Sequence, residues 1–196
     1  MKRNDYVINL IEFSKELNGE TIKVVKNSVG LVVGIDDIIA NILFIGKNVL
    51  IDTKVTNLMI IDLKQTGDEY PYKVCNVCHI LKPVTEFEYN QNNIKRKVRR
   101  PSCKNCRKII DGEPLIKAEK ARMEEIKPKI IFKCPICGKT SIPGVTANLV
   151  IDHNHETGEA REWICDSCNT GLGRFKDDPK ILKTAIDYLN KHESKD

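Results

Sequence analysis

The chain has 196 residues, of which 41% are hydrophobic and 6% aromatic, and a formal net charge of +5. That length suits one or two domains. No apolar run approaches the roughly 18 residues a membrane helix needs, and Met1–Leu10 carries Lys2 and Arg3 without a long apolar stretch, so neither a transmembrane segment nor a signal peptide is predicted.

A cytoplasmic protein is therefore expected. There, eight cysteines read as metal ligands rather than disulfides. The charge is uneven: residues 1–72 hold eight Lys/Arg and ten Asp/Glu, the remainder 24 and 17. Eight thiolates on two zinc ions would remove about four charges from the total. Global charge is thus a weak pointer to nucleic acid, and local distribution a better one.

Residues 1–66 read as mostly β. Thr21–Lys26, Val29–Ile35, Ile38–Ile45, Val49–Ile51 and Asn57–Asp62 are short runs rich in Val and Ile. Asn18-Gly19, Asn27-Ser28, Gly46-Lys47-Asn48 and Asp52-Thr53 read as turns between them. Such regular short strands predict a small barrel or curled sheet. Asp36–Phe44 also suits a helix. The segment has no Cys and no His. It is either a folding or dimerisation platform or a DNA-contacting specificity module.

Gly67–Pro71 marks a boundary, and a repeat follows it. Cys75-x-x-Cys78 precedes Cys103-x-x-Cys106 by 24 residues, and Cys134-x-x-Cys137 precedes Cys165-x-x-Cys168 by 27. Each trailing pair opens a helix-compatible stretch, Arg107–Ile126 and Thr170–Lys191. Three segments result: 1–70, a β-rich module; 71–128, a first four-cysteine zinc unit; and 129–196, a second. In the second, Asp177-Asp178-Pro179 reads as a helix start, and Ile181, Leu182, Ala185, Ile186 and Leu189 follow at helical spacing.

Cys-x-x-Cys turns point two sulfurs inward, and two turns complete a tetrahedron around zinc. Chain order favours Cys75, Cys78, Cys103 and Cys106 as one site and Cys134, Cys137, Cys165 and Cys168 as the other, with an interleaved pairing also open. Four thiolates leave no position for water. Both zincs are therefore expected to be structural, and chemistry needs another ion.

That chemistry is predicted between the second pair of knuckles. Leu149–Ile151 is an apolar strand leading into Asp152-His153, Thr157-Gly158 is a turn, Ala160–Ile164 returns, and Cys165–Asn169 opens a helix. Hydrolysis of a phosphodiester needs an activated water and charge stabilisation on the phosphate. His153 suits the general base. Asp152 and Asn169 offer hard oxygens to Mg²⁺ or Mn²⁺. His155 and Arg161 are candidates to contact phosphate.

Asp152-His153-x-His155-x-Thr157-Gly158, Arg161 and Cys165-x-x-Cys168-Asn169-x-x-Leu172-Gly173 together resemble the ββα-metal (HNH-type) nucleases of the recombination endonuclease VII family. The resemblance covers about Cys134–Leu189. It implies a His153 base, one divalent metal on Asp152 and Asn169, and structural zinc on the second cysteine set. Resolvases of that family can use an acid one turn after the Asn, where this chain has Leu172, and they carry a helical dimerisation region. The resemblance is accordingly nearer to site-specific restriction endonucleases on the same core.

The first unit reads as catalytically degenerate: Asn90-Gln91 replaces Asp-His, and Arg107 replaces the Asn. It offers charge instead. Lys95, Arg96, Lys97, Arg99, Arg100, Lys104, Arg107 and Lys108 lie together, with no acid between Glu88 and Asp111. This cluster suits phosphate tracking and base reading.

The expectation is an α+β chain: an N-terminal β-barrel-like module, then two tandem four-cysteine zinc-binding β/α units, the second a ββα-metal nuclease core. It would act as a Mg²⁺-dependent, site-specific endonuclease on double-stranded DNA, of the type II restriction kind, as a homodimer matched to the duplex two-fold. The alternatives are a Holliday-junction resolvase or nicking enzyme, and a non-catalytic zinc DNA-binding regulator.

Overall fold

The computed structural model describes residues 1–90 and 98–193. Gln91 and the basic residues Lys95, Arg96 and Lys97 lie outside the described residues. The chain forms two compact units, Met1–Ile109 and Ile110–Asp196.

The first unit contains β1 (Tyr6–Asn9), β2 (Phe13–Leu17), β3 (Glu20–Val24), β4 (Val29–Ile35), β5 (Ile39–Phe44), β6 (Val49–Lys54), β7 (Leu58–Ile60), β8 (Tyr72–Val74) and β9 (Leu81–Pro83). Helix α1 (Lys104–Asp111) ends it and runs into the second unit. Five strands form one antiparallel sheet in the order β6-β5-β4-β1-β7. Alternation decides the ambiguous segment: Ala40, Ile42 and Phe44 are buried and their neighbours are not, so residues 39–44 are a strand. Asp36 makes the turn before it, accepting from the N–H groups of Ile38 and Ile39 at 2.9 and 2.7 Å.

Three strand expectations change. Asp52-Thr53 is not a turn but part of β6, where Thr53 is buried and Asp52 accepts from Asn41 Nδ2 on β5 at 2.6 Å. β1 and β2 were not expected. β1 is only four residues, and β2, with two charged residues of five, is held by register with β3 across the Asn18-Gly19 turn. Both turn residues have positive φ, 52° and 83°, as a tight hairpin requires. The barrel-like expectation is corrected to an open sheet. Edges β6 and β7 are not paired to each other among the described residues, and β2–β3 forms a separate ribbon rather than bridging them.

Val7, Val24, Val32, Ala40, Ile42, Phe44, Ile51 and Leu58 fill the core of this unit. A smaller cluster, Ile8, Val29 and Leu81, seats the β8–β9 hairpin beside it. His79 follows the first knuckle with φ 52°, and its carbonyl accepts from Val29 N at 2.9 Å.

The second unit contains α2 (Lys117–Glu125), β10 (Phe132–Lys133), β11 (Thr140–Ser141), β12 (Leu149–His153), β13 (Ala160–Cys165), α3 (Asp166–Arg174) and α4 (Pro179–His192). Each helix-compatible stretch is two helices. Gly112, with φ 59°, stops α1. Asp178 caps α4 by accepting from Lys180 N at 2.8 Å, with Pro179 in the first turn. Met123, Phe132, Cys134, Trp163, Ile164 and Cys165 form the core. Trp163 Nε1–H donates to Met123 O at 2.9 Å, tying α2 to β13. No described helix is long and apolar enough to cross a membrane.

Candidate active site

The same plan organises the cysteines of both units. A short strand, β8 or β10, runs into the leading Cys-x-x-Cys, and β9 or β11 follows it. Cys103 and Cys165 immediately precede α1 and α3, and Cys106 and Cys168 lie in their first turns. The four sulfurs of Cys75, Cys78, Cys103 and Cys106 lie within 4.8 Å of one another, as do those of Cys134, Cys137, Cys165 and Cys168. The within-unit pairing is thus the one formed.

A tetrahedral zinc with bonds of about 2.3 Å puts sulfurs roughly 3.8 Å apart, and Cys137 Sγ lies 3.9 Å from Cys165 Sγ. Burial opposes ionisation of Cys75 and Cys134, but surrounding backbone N–H groups outweigh it and pull each down to about 6. Cys103 N and Val77 N reach Cys75 Sγ at 3.3 and 3.4 Å. Burial, and then neighbouring cysteines, push Cys106 and Cys168 up. Four sulfurs within 4.8 Å of one another, at least three of them buried or partly buried in each cluster, call for a bound cation, and the donor set fits zinc.

The catalytic candidates sit on the β12–β13 hairpin. Leu149, Val150 and Ile151 pair in register with Cys165, Ile164 and Trp163. The register then slips, with His153 opposite Ala160, so Arg161 and Glu162 together face Asp152. A bulge of this kind re-aims a side chain. Here Arg161 Nη1 donates to Asp152 Oδ2 at 3.1 Å, and the Asp152 side chain is 8% exposed against 42% for Arg161. His153 ends β12, and its ring centroid is 4.8 Å from that of His155. His155 Nδ1 lies 3.4 Å from Asp177 Oδ2.

The hairpin loop is tightly bonded. Asn154 N donates to Glu159 O at 2.8 Å, Gly158 N to Asn154 O at 2.7 Å, and Glu156 N to Asn154 Oδ1 at 2.8 Å. Asn169 lies in the first turn of α3, which packs on β12 and β13. It is not the helix cap, a position held by Cys165. Leu172, one turn further, packs into the Trp163 core, so the acid position of resolvases is an apolar contact here.

Two supports escaped sequence reading. One is Asp177, 22 residues from its partner and read only as part of a helix start. The other is a strap, Gly112–Ile116, across the catalytic loop. Glu113 N donates to His155 O at 2.7 Å, and Ile116 N to Gly158 O at 2.9 Å. A Cβ on Gly112 would collide with His155 O, and one on Gly158 would lie 2.5 Å from Pro114 O. Both glycines also have positive φ. Gly112→Ala should therefore cost about 2 kcal/mol or more. That corresponds to a fall of roughly 10 °C in Tm, measurable by thermal unfolding. An unchanged Tm would mean the strap is not docked as described.

In the first unit, Arg99 is committed internally. Nη1 donates to Phe87 O at 2.6 Å, Nη2 to Tyr89 Oη at 2.9 Å, and the guanidinium lies 4.1 Å from the Tyr89 ring centroid. With Arg100 and Lys104 it lines a concavity of about 420 Å³. Arg107 and Lys108 lie on α1, where Lys108 is exposed.

Comparison with known proteins gives a consistent picture. Residues 112–191 match the model of the family described as recombination endonuclease VII, and residues 62–112 match that of the His-Me finger endonuclease beta4-alpha2 domain. The chain is 52% identical to a solved structure, the beta-beta-alpha-Me type II restriction endonuclease Hpy99I. That match has a TM-score of 0.86 and covers 98% of this chain and 100% of the other. The Gene 59 proteins of Mycobacterium phages D29 and L5 are 40% identical over 60 residues and 38% identical over 58. These matches take in 30% and 29% of this chain and 35% and 34% of the phage proteins, about a third of their length.

Proposed function

Since the chain belongs to the ββα-Me (HNH-type) family of metal-dependent DNA endonucleases, we propose that it is a site-specific, type II restriction-like enzyme cutting both strands of duplex DNA. The observation that carries this reading is the β12–β13 hairpin. Its bulge sets Asp152 beside Arg161, its strand end carries His153, and α3, bearing Asn169, packs on it. Similarity to Hpy99I over nearly the whole chain supports the restriction-type reading over junction resolution, as does Leu172 in the resolvase acid position.

His153 takes a proton from the attacking water as it approaches the phosphorus. The bond to the 3′ oxygen breaks, and the leaving oxyanion takes a proton from solvent, leaving a 5′-phosphate and a 3′-hydroxyl. Arg161 orients the Asp152 carboxylate through its 3.1 Å contact. Asp152 and Asn169 are the hard-oxygen residues that would hold one divalent ion, Mg²⁺ or Mn²⁺. When bound, that ion neutralises charge on the phosphate and the leaving oxygen. The two four-cysteine clusters hold structural Zn²⁺ and fix the helices on which each unit depends.

The three segments divide the work: residues 1–70 scaffold or read DNA, 71–128 track phosphates through Arg100, Lys104, Arg107 and Lys108, and 129–196 cut. One hairpin site per chain cuts one strand, so duplex cleavage calls for a homodimer. The setting is the cytoplasm of a bacterium or a phage-infected cell. The test is digestion of linear plasmid and viral DNA with Mg²⁺. Discrete fragments support the reading. Cutting only at four-way junctions points to a resolvase, and binding without cutting under any divalent metal points to a regulator.

A further inference from the structure

The contact between His155 and Asp177 joins two segments 22 residues apart, and the hydrolytic mechanism above does not use it. We propose that Asp177 is a positioning residue of the active site, holding the His155 imidazole by Nδ1 in the single tautomer and ring orientation that lays it against His153. Its catalytic consequence rests on the nuclease reading, whereas the contact itself does not.

Three observations carry it. The first is directional. Nδ1 of His155 lies 3.4 Å from Asp177 Oδ2, the Asp177 side chain is 14% exposed, and the His155 ring meets His153 at 4.8 Å and 41°. At 3.4 Å the carboxylate is within ion-pair reach of Nδ1 but beyond an ordinary hydrogen bond, and an anion that close to one ring nitrogen favours the proton there and leaves Nε2 as the acceptor.

The second is in the backbone. After α3 the chain turns through Lys176 and Asp177, with φ 59° and 51°. The turn is closed by Lys176 N to Gly173 O at 3.1 Å and Asp177 N to Leu172 O at 3.0 Å. Left-handed residues at a helix end are ordinarily glycine, because a Cβ disfavours them. This turn uses two side-chain-bearing residues, and the second delivers a carboxylate to the catalytic loop.

The third is the independent hold on the same residue. Glu113 N donates to His155 O at 2.7 Å, so the strap fixes the His155 backbone. Only the imidazole remains to be oriented, and Asp177 supplies that hold through the side chain.

The deciding variant is Asp177→Gly, because it separates a positioning role from a merely structural one. Glycine relieves the left-handed backbone, so Tm should hold or rise. The imidazole is released, so kcat for DNA cleavage should fall about 10-fold or more, the usual range for an orienting partner, with KM within about twofold. Asp177→Asn, whose amide oxygen accepts the same N–H and whose backbone tolerates the turn, should recover at least half the wild-type rate. In ¹⁵N–¹H spectra of the zinc-loaded, Mg²⁺-free protein, His155 should carry its proton on Nδ1 in wild type and shift toward Nε2 in Asp177→Gly.

An unchanged kcat or an unchanged His155 tautomer in Asp177→Gly overturns the proposal, as does a parallel fall of Tm and activity. If wild type cuts no DNA at all, it is the nuclease reading that fails, and the tautomer alone decides the role of Asp177.

Discussion

Replacing His153 with alanine should slow DNA cleavage by about 10²–10⁴-fold, the range a general base contributes, while DNA binding and zinc content stay at wild-type levels. The argument is local. His153 is the last residue of β12 and only partly buried, and it belongs to none of the core clusters, so its removal leaves packing intact. Asp152, the neighbouring acid and a proposed divalent-metal residue, is held by Arg161 rather than by His153, so it keeps its support.

His155 is the neighbouring imidazole, but its Nδ1 side is engaged by Asp177 and its backbone by Glu113, so it is not free to swing into the vacated place. Single-turnover cleavage beside a gel-shift titration and a zinc assay checks this. A variant that cuts within about tenfold of wild type would remove His153 from the role of base. A variant that also loses zinc or DNA binding would mean that His153 has a structural task the hairpin geometry does not reveal.

The candidate site was largely legible in the sequence because its parts are local. Cys-x-x-Cys spacing, the Asp152-His153 pair and Asn169 just after Cys168 lie within 36 residues, and strand, turn, strand and helix follow in that order. The supports were not legible because they come from elsewhere in the chain. Trp163 finds Met123 forty residues away, and the strap at 112–116 lies inside the helix-compatible stretch Arg107–Ile126.

The N-terminal sheet shows the converse limit. Val- and Ile-rich runs marked β3, β4, β5, β7 and the first half of β6, but β2, Phe13-Ser14-Lys15-Glu16-Leu17, has no apolar alternation to announce it. Barrel closure depends on whether edge strands meet, and nothing in the periodicity of β6 or β7 carries that information. Arg99 makes the same point for charge. Its place in a basic run suggested DNA, yet Phe87 O and Tyr89 Oη take its donors.

Stripping zinc from the second cluster should unfold residues 110–193, and Cys134→Ser should do the same. Structural zinc contributes roughly 10–16 kcal/mol to small metal-dependent folds, more than this unit can replace. Its core has six buried residues, and two of them, Cys134 and Cys165, are themselves in the cluster. Ile130, Ile131 and Val145 remain 66–80% exposed and add little burial.

The chain has a single tryptophan, Trp163, packed against Cys134 and Cys165 in that core. Its fluorescence therefore reports this unit alone. With Mg²⁺ kept in excess, a strong zinc chelator should shift the emission to the red and abolish cleavage, and added Zn²⁺, but not further Mg²⁺, should restore both. Withdrawing Mg²⁺ alone should stop cleavage without moving the emission, because Asp152 and Asn169 lie on elements that the zinc cluster and the Trp163 core hold in place. If cleavage were lost on zinc removal while Trp163 kept its emission, zinc would have to act in the chemistry itself. Four thiolates around a bound ion would leave no open position for that role.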